Sequence, residues 1–282
     1  MIKNKYNYIA LLICIFCLLF LLNACASQQP QKFNQTAKKL KFKKITVNGK
    51  DFPMIYFTRE VKKKYEHLHV YLGGDGIPWL DVMTYSEDPT PTNPLVLQLM
   101  NQDDVPSLYL GRPCYHGLSK TSPCNYFYWT DGRYSPKIIN NMRDAIKQLV
   151  ETYEVKKLTL IGFSGGGALA TLLANKIPHT HAVVTVAGVL DTNAWIQLHH
   201  YSPLKGSLNP AEQPPLKQHI RQTHLVGDKD KNIPSSINSK FLNKQYSTEI
   251  IHFKQADHTC CWEEYWPKIV KKLKNHDKKL NK

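Results

Sequence analysis

The sequence predicts an α/β fold, with a mostly parallel, doubly wound sheet that carries helices on both faces. Short apolar strand patterns alternate with helical patterns from about residue 45 onward, and this alternation is typical of parallel sheets. The segment 182–187 is apolar apart from Thr185, as expected of a strand that is covered on both sides. The chain of 282 residues is long enough for one such domain, which we assign to residues 45–282.

The residues before this domain are typical of an exported protein. Lys3 and Lys5 precede an apolar run over 9–22 that is too short to span a bilayer comfortably. A positive start followed by such a run is the pattern of a secretory signal. We therefore predict that residues 1–24 are a signal peptide.

The end of this signal resembles a bacterial lipobox, in the residues Leu22-Asn23-Ala24-Cys25. The resemblance implies cleavage before Cys25 and lipidation of that cysteine, and Ala26 after it favours the outer membrane. An ordinary cleaved signal and an uncleaved anchor are the alternatives. We expect a lipid-anchored protein of the bacterial cell envelope.

The formal net charge of +15 is concentrated towards the two ends of the chain. Lysines are dense in 25–44, which we interpret as a Lys-rich tether, and again in 268–282. We expect both segments to be solvated, and the alternative is that their lysines contact anionic lipid headgroups. No recognition motif accompanies the charge, so no nucleic-acid partner is expected.

Four strands and a long insert are predicted in the first half of the domain. The strands cover 44–49, 53–58, 67–72 and 107–110, and a short helix covers 94–100. A polar and aromatic insert follows over 111–134. Ser135 and Pro136 then predict a helix start, with serine as N-cap and proline in the first turn.

The second half of the domain continues the alternation of strands and helices. Strands are predicted over 157–161, 182–187, 222–226 and 249–253, and helices over 167–176, over 235–245 and from Trp262 onward. An irregular, proline-containing region covers 191–215. We find no internal repeat.

The junction at 162–166 has the sequence Gly-Phe-Ser-Gly-Gly, which fits the pattern G-x-S-x-G. A serine on a tight strand-to-helix turn projects its hydroxyl above the sheet edge, and the flanking glycines relieve the crowding of Cβ atoms. The N–H groups that open the next helix suit a developing oxyanion. The pattern predicts that Ser164 is a catalytic nucleophile.

An imidazole and several carboxylates follow later strands. Asp228 and Asp230 come after the strand 222–226, and His258 comes after the strand 249–253. The carboxyl ends of parallel strands lie at one edge of the sheet, so these groups are expected near Ser164. A serine hydroxyl needs a base, and the base needs a carboxylate that fixes its tautomer. We predict His258 as the base.

This turn and the order serine, aspartate, histidine resemble the α/β-hydrolase superfamily over residues 45–275. The stretches 109–114 and 128–135 further resemble an uncharacterised, lipoprotein-like group of bacterial hydrolases. The resemblance implies an α/β-hydrolase fold with an insert near 111–134, a serine hydrolase activity and no cofactor.

The resemblance also implies which carboxylate supports His258. The family pattern G-x-x-D-x-x-(I/V)-P matches residues 227–234, which makes Asp230 the acid of the site. Asp191 follows the preceding strand and Asp228 lies in a turn, and both are alternative acids.

The oxyanion hole is predicted to use the N–H of Gly165 and one N–H of the loop 73–76. This loop resembles the Gly-rich HGGG-type loop without its histidine, and it offers Gly74 or, as our preference, Asp75. The Asp75 carboxylate would oppose an oxyanion unless it is paired or turned away. Arg112 and Arg133 are candidates for binding an acidic substrate group.

Four cysteines remain in the predicted domain, and export permits disulfides. We favour a bond between Cys114 and Cys124, with Cys260 and Cys261 either bonded to each other or reduced. Bridges between these two pairs are the alternative. Adjacent cysteines do not suit a tetrahedral metal site, so no metal is predicted.

The sequence therefore predicts a serine hydrolase of the carboxylesterase or lipase type, acting on a small-molecule or lipid acyl substrate. We expect a monomer that contacts the membrane through its lipid anchor and basic ends. A serine peptidase and a non-catalytic envelope binding protein on the same fold are the alternatives.

Overall fold

Eight strands form one sheet in this computed structural model, which describes residues 28–59 and 63–279. The strands are β1 (Lys43–Asn48), β2 (Pro53–Thr58), β3 (His67–Leu72), β4 (Ser107–Leu110), β5 (Lys157–Phe163), β6 (Thr180–Val186), β7 (Arg221–Gly227) and β8 (Thr248–Phe253). Their spatial order is β1-β2-β4-β3-β5-β6-β7-β8. β2 is antiparallel to β1 and β4, and the other neighbouring pairs are parallel. The predicted mostly parallel sheet is confirmed.

Seven α-helices connect and cover these strands within the described ranges. They are α1 (Gln28–Lys39), α2 (Leu95–Asn101), α3 (Pro136–Thr152), α4 (Gly165–Ala174), α5 (Thr192–His199), α6 (Ser239–Leu242) and α7 (Trp262–Lys279). None of the described helices has the length and apolar character needed to cross a membrane. The predicted signal peptide 1–24 and Cys25 lie outside the described residues.

The helices pack on both faces of the sheet, as predicted. One hydrophobic layer contains the buried faces of α3 and α4, and the other contains those of α1, α2 and α7. Helix α3 begins as its sequence indicates, because the Ser135 hydroxyl accepts the Ile138 N–H and Pro136 occupies the first turn. The predicted helix over 235–245 is shorter, since it divides into a 3₁₀ turn at Ser235–Asn238 and α6.

Helix α1 corrects the expectation of a solvated tether over 25–44. Phe33 and Ala37 lie four residues apart on one face of α1, and both are buried. The Phe33 ring lies 5.2 Å from the rings of Phe57 and Tyr109, measured between centroids. Burial of these apolar side chains stabilises the packing of 28–39 against the domain, and the neighbouring lysines stay in solvent.

The order of the central strands creates a crevice where the site is built. The chain passes from β3 to β4 on one side of β3 and later returns to its other side as β5. In open α/β sheets, ligands bind at the carboxyl ends of strands on either side of such a change of direction. Here that position joins the loop 73–76 after β3 to the turn after β5, since Leu72 and Gly162 are paired.

Candidate active site

Ser164 lies on a sharp turn between β5 and α4, with φ 53° and ψ −122°. Such a conformation is disfavoured for a residue with a side chain and persists only where the surrounding structure enforces it. A Cβ added at Gly162 would lie 2.1 Å from the Gly166 carbonyl oxygen, and one at Gly166 would lie 2.1 Å from that of Leu72. Both glycines of the pattern are therefore required by close backbone contact.

A continuous chain of hydrogen bonds joins Ser164, His258 and Asp230. The Ser164 Oγ lies 3.1 Å from His258 Nε2, and His258 Nδ1 lies 2.9 Å from Asp230 Oδ2. A carboxylate only accepts hydrogen bonds, so Nδ1 carries the proton and Nε2 is left to accept from the serine. The three groups come from the loops after β5, β7 and β8 and have the geometry of a nucleophile, a base and its orienting acid.

The loops around Asp230 and His258 hold both side chains in place. The Asp230 side chain is buried, and its second oxygen accepts the N–H groups of Asn232 and Ile233, each at 2.8 Å. The Trp262 indole N–H lies 3.2 Å from the His258 carbonyl oxygen and donates to it. These contacts fix the Asp230 carboxylate and the backbone of His258, and the bond from Nδ1 to Asp230 orients the imidazole.

The other two candidate acids are occupied elsewhere. Asp191 caps α5, where its side chain accepts the N–H groups of Asn193 and Ala194. Asp228 lies 2.7 Å from His252 Nδ1 in an exposed pair. The structure therefore brings Asp230, and neither Asp191 nor Asp228, to His258.

The loop 73–76 lies directly against the nucleophile turn, where the second oxyanion donor was predicted. A Cβ added at Gly74 would lie 3.3 Å from the Ser164 Cβ, and one at Gly165 would lie 2.0 Å from an Asp75 carboxylate oxygen. The Tyr115 hydroxyl donates to the Asp75 carbonyl oxygen at 2.8 Å and fixes this part of the loop. Gly165, Gly74 and Asp75 are thus brought together around Ser164.

The Asp75 carboxylate is paired by two arginines of the insert. Arg112 Nη2 donates to Oδ1 at 2.7 Å, Arg133 Nη1 donates to Oδ2 at 2.8 Å, and the Tyr134 hydroxyl donates to Oδ1 at 2.6 Å. Burial by itself would raise the pKa of the Asp75 carboxyl, but Arg112 and Arg133 lower it to about 2. The negative charge expected to oppose an oxyanion is therefore neutralised locally.

The role of the arginines differs from the expectation that they bind an acidic substrate group. Both guanidinium groups are buried and directed at Asp75. A single sequence offers no sign of this pairing, because Asp75 and Arg133 are 58 residues apart. The contact depends on how the insert folds over β3.

A cavity of about 840 Å³ opens beside Ser164 and His258. Its apolar wall includes Phe33, Trp79, Leu95, Trp195, Tyr201 and Leu204. The insert residues 126–129 do not contribute to this wall, since Trp129 is buried in the core while Tyr126 and Phe127 are exposed. The wall is built instead from α1, α2, α5, the segment after α5 and the loop after β3.

The four candidate cysteines form two bonds. Cys114 is joined to Cys124 within the insert, and Cys260 is joined to Cys261 at the start of α7. No group of three or more histidine, cysteine or acidic side chains that would suit a metal ion occurs among residues 28–59 and 63–279.

We predict that Asp75→Asn lowers the free energy of unfolding at pH 7 by about 3 kcal/mol, because two buried guanidinium groups lose their counter-charge. Asp81→Asn, at an exposed carboxylate that accepts the backbone N–H groups of Met83 and Thr84, is the control and should leave the free energy of unfolding unchanged within the error of the measurement. Urea unfolding monitored by fluorescence measures both.

The stability difference between wild type and Asp75→Asn should decrease as the pH falls. In the folded protein the pKa of Asp75 is about 2, below the ordinary value of 3.8. The ionised carboxylate therefore contributes its full stabilisation to the free energy of unfolding above about pH 4, and this stabilisation is lost as the pH falls through 2. The difference between wild type and Asp75→Asn should narrow over that range. Equal stability of the two proteins at pH 7 would contradict the pairing.

Solved structures with a similar fold include two esterases and a mouse protein. An esterase of Pyrococcus furiosus is 14% identical, with 84% of this chain and 92% of that chain covered and a TM-score of 0.57. Mouse alpha/beta hydrolase domain-containing protein 10 is 15% identical, with coverage of 84% and 99% and a TM-score of 0.59. An esterase of Pyrobaculum calidifontis is 12% identical, with coverage of 89% and 92% and a TM-score of 0.59. These likenesses confirm the α/β-hydrolase fold.

The sequence itself matches the family model described as serine hydrolase (FSH1) over residues 88–260. The match includes Ser164, Asp230 and His258, whereas the loop 73–76 precedes it. No curated protein matches the chain in sequence. Because the family model spans more than half of the 282 residues, this protein belongs to the serine hydrolase (FSH1) family.

Proposed function

We propose that this protein hydrolyses an ester or related acyl bond through an acyl-enzyme intermediate on Ser164. The observation that carries the proposal is the hydrogen-bond chain from Asp230 through His258 to Ser164 in the wall of the cavity. A serine hydroxyl is a poor nucleophile at neutral pH unless a base takes its proton, and this chain supplies an oriented base. Membership in a serine hydrolase family supports the same reaction.

In the first half-reaction, Ser164 Oγ bonds to the substrate carbonyl carbon while its proton passes to His258 Nε2. The tetrahedral intermediate then collapses, the bond to the leaving oxygen breaks, and His258 protonates that oxygen. In the second half, a water molecule gives a proton to His258 and attacks the acyl carbon, and Ser164 recovers a proton as the acid leaves. Asp230 stays ionised and stabilises the imidazolium in both halves.

The developing oxyanion is proposed to accept hydrogen bonds from the N–H groups of Gly165 and Asp75. We favour Asp75 over Gly74 because contacts with Tyr115 and Arg112 hold both its carbonyl and its carboxylate. A donor that is fixed before the reaction needs no reorganisation when charge appears, and one such donor is worth about 3 kcal/mol. Pairing of the Asp75 side chain removes the repulsion that its charge would cause.

The substrate is proposed to be a small-molecule or lipid acyl compound. A cavity of about 840 Å³ with aromatic and aliphatic walls favours an apolar acyl group beside the serine. The protein is proposed to act as a monomer in the bacterial cell envelope, held by a lipid on Cys25 at the outer membrane. The lipobox-like residues before Cys25 support this location, and the reaction requires no cofactor.

We predict that a fluorophosphonate probe labels the folded protein at Ser164 and that Ser164→Ala abolishes labelling. Ester turnover should fall by about 10⁴-fold or more, because the nucleophile is lost while the fold is retained. Labelling is read by mass spectrometry, and turnover is read on esters and on peptides in one panel. Peptide turnover without ester turnover would identify a peptidase, and no turnover with no labelling would favour a binding protein.

We predict that Asp230→Asn lowers kcat by about 10⁴-fold, because the His258 tautomer that accepts from serine is no longer favoured. The matched control is Asp228→Asn, which lies two residues away and removes an exposed pair with His252. This control should retain activity within about twofold. Steady-state ester kinetics on all three proteins provides the test, and full activity of Asp230→Asn would exclude Asp230 as the acid.

We predict that the protein incorporates radiolabelled palmitate in a bacterial host and that Cys25→Ser removes the label. The thiol of Cys25 is the group that the lipobox-like sequence offers for modification. Cys124→Ser, which removes a cysteine of the insert, is the control and should keep the label. Retention of the label in Cys25→Ser would show that the lipid is attached elsewhere.

A further inference from the structure

An ordered hairpin follows the loop 73–76 and borders the cavity. We call residues 77–86 the tip hairpin. Trp79 pairs with Tyr85 as an antiparallel bridge, and the Leu80 N–H donates to the Thr84 carbonyl oxygen at 2.8 Å. The Asp81 carboxylate accepts the backbone N–H groups of Met83 and Thr84, each at 2.8 Å. The hairpin is thus held by hydrogen bonds within its own turn.

The end of the tip hairpin is apolar and faces solvent. Val82 is 93% exposed, Met83 is 86% exposed and Leu80 is 59% exposed. Three neighbouring apolar side chains held away from the core by a hydrogen-bonded turn do not serve packing within this chain. Leu80 and Val82 also line the cavity, so the exposed surface and the site are continuous.

A second exposed apolar segment borders the same cavity at the end of α5. Leu198 and Tyr201 are exposed, and Trp195 and Tyr201 line the cavity. The Tyr201 ring packs 5.1 Å from Trp195, between centroids, which fixes its position. We call Leu80, Val82, Met83, Leu198 and Tyr201 together the apolar rim.

Exposed lysines lie in three segments that also line the cavity. Lys32, Lys205 and Lys231 are exposed. Each is adjacent in sequence to a cavity-lining residue, namely Phe33, Leu204 and Asn232 respectively. Exposed apolar side chains together with lysines in the neighbouring segments match the layered chemistry of an anionic membrane, with acyl chains below negative headgroups. Near the tip, Tyr85 stacks on Tyr126 at 4.7 Å between ring centroids, and tyrosine suits the headgroup level.

We propose that the apolar rim docks on an anionic lipid bilayer and that the cavity takes an acyl ester directly from it. The substrate class is therefore a membrane lipid ester, an inference that rests on the proposed acyl hydrolysis at Ser164. A bilayer fits better than a second copy of the chain, because exposed lysines lie in three of the segments that border the cavity, while the Asp81 carboxylate in the tip hairpin accepts backbone N–H groups of its own turn. The docking does not depend on a lipid at Cys25.

The test uses the full chain and the double variant Met83→Asp/Leu198→Asp. Both side chains are exposed and neither lines the cavity. Tyr246→Asp is the matched control, since Tyr246 is an exposed aromatic residue just before β8, at the end of that strand away from the site. All proteins share one N-terminus, so any anchor at Cys25 contributes equally.

Turnover is measured on a soluble short-chain ester and on a long-chain ester in vesicles of phosphatidylglycerol and phosphatidylcholine. The double variant should lose about tenfold or more on vesicles, because a charged side chain cannot enter the bilayer, and should keep its soluble activity within about twofold. The control should match wild type on both substrates. Unchanged vesicle turnover in the double variant would overturn the proposal.

A binding measurement separates docking from catalysis. Brominated phosphatidylglycerol in the vesicles should quench the tryptophan emission in wild type and in Ser164→Ala, and less in the double variant, because Trp79 beside the tip is exposed whereas Trp129, Trp262 and Trp266 are buried. If wild type hydrolyses neither ester, the proposed function fails while quenching still reports docking. If quenching is absent and the double variant converts a dimer to a monomer in sedimentation, the rim binds a second copy and the proposal is wrong.

Discussion

The active site depends on the pairing of the Asp75 carboxylate with Arg112 and Arg133. This contact joins the loop after β3 to the insert. It also places the Asp75 carboxylate against the turn at Ser164, where the neighbouring atoms leave no room for a side chain at Gly165. Charges in such a position destabilise a protein strongly when one partner is missing, because desolvation is no longer offset. The carboxylate thus ties three separate segments of chain to one arrangement around Ser164.

The glycines of the site follow from the same constraint. Three backbone segments meet where β3, β5 and α4 converge, and Cβ atoms at Gly162, Gly165 or Gly166 would overlap with neighbouring atoms. Close contact of backbone with backbone brings the N–H groups of two loops close together, as the proposed oxyanion hole requires. The hydroxyl of Ser164 then faces the cavity from a turn that its surroundings hold in a disfavoured conformation.

The cavity beside Ser164 is shaped by segments outside the central sheet. Helix α1 contributes Phe33 to the wall, although its lysine content favours a solvated segment. The tip hairpin and the end of α5 contribute apolar groups that are partly inside the cavity and partly in solvent. The proposed acyl hydrolysis at Ser164 and the apolar groups that border the cavity would together select apolar substrates.

The sequence by itself determined what depends on local order. Strand and helix periodicity predicted the mostly parallel sheet, and Ser135-Pro136 and the glycines at 162–166 predicted the start of α3 and the nucleophile turn. These features follow from interactions between residues close in the chain, so their patterns are legible without coordinates. The candidates Ser164, His258 and three aspartates were visible in the same way.

Only the tertiary structure decided which of these groups meet. Asp230 rather than Asp191 or Asp228 reaches His258, because each aspartate is held by its own loop. The arginines of the insert turned inward to Asp75, and α1 packed on the core, through contacts between residues far apart in the chain. Such contacts are determined by packing and by the pairing of buried charges over the whole domain. A local sequence pattern does not contain this information.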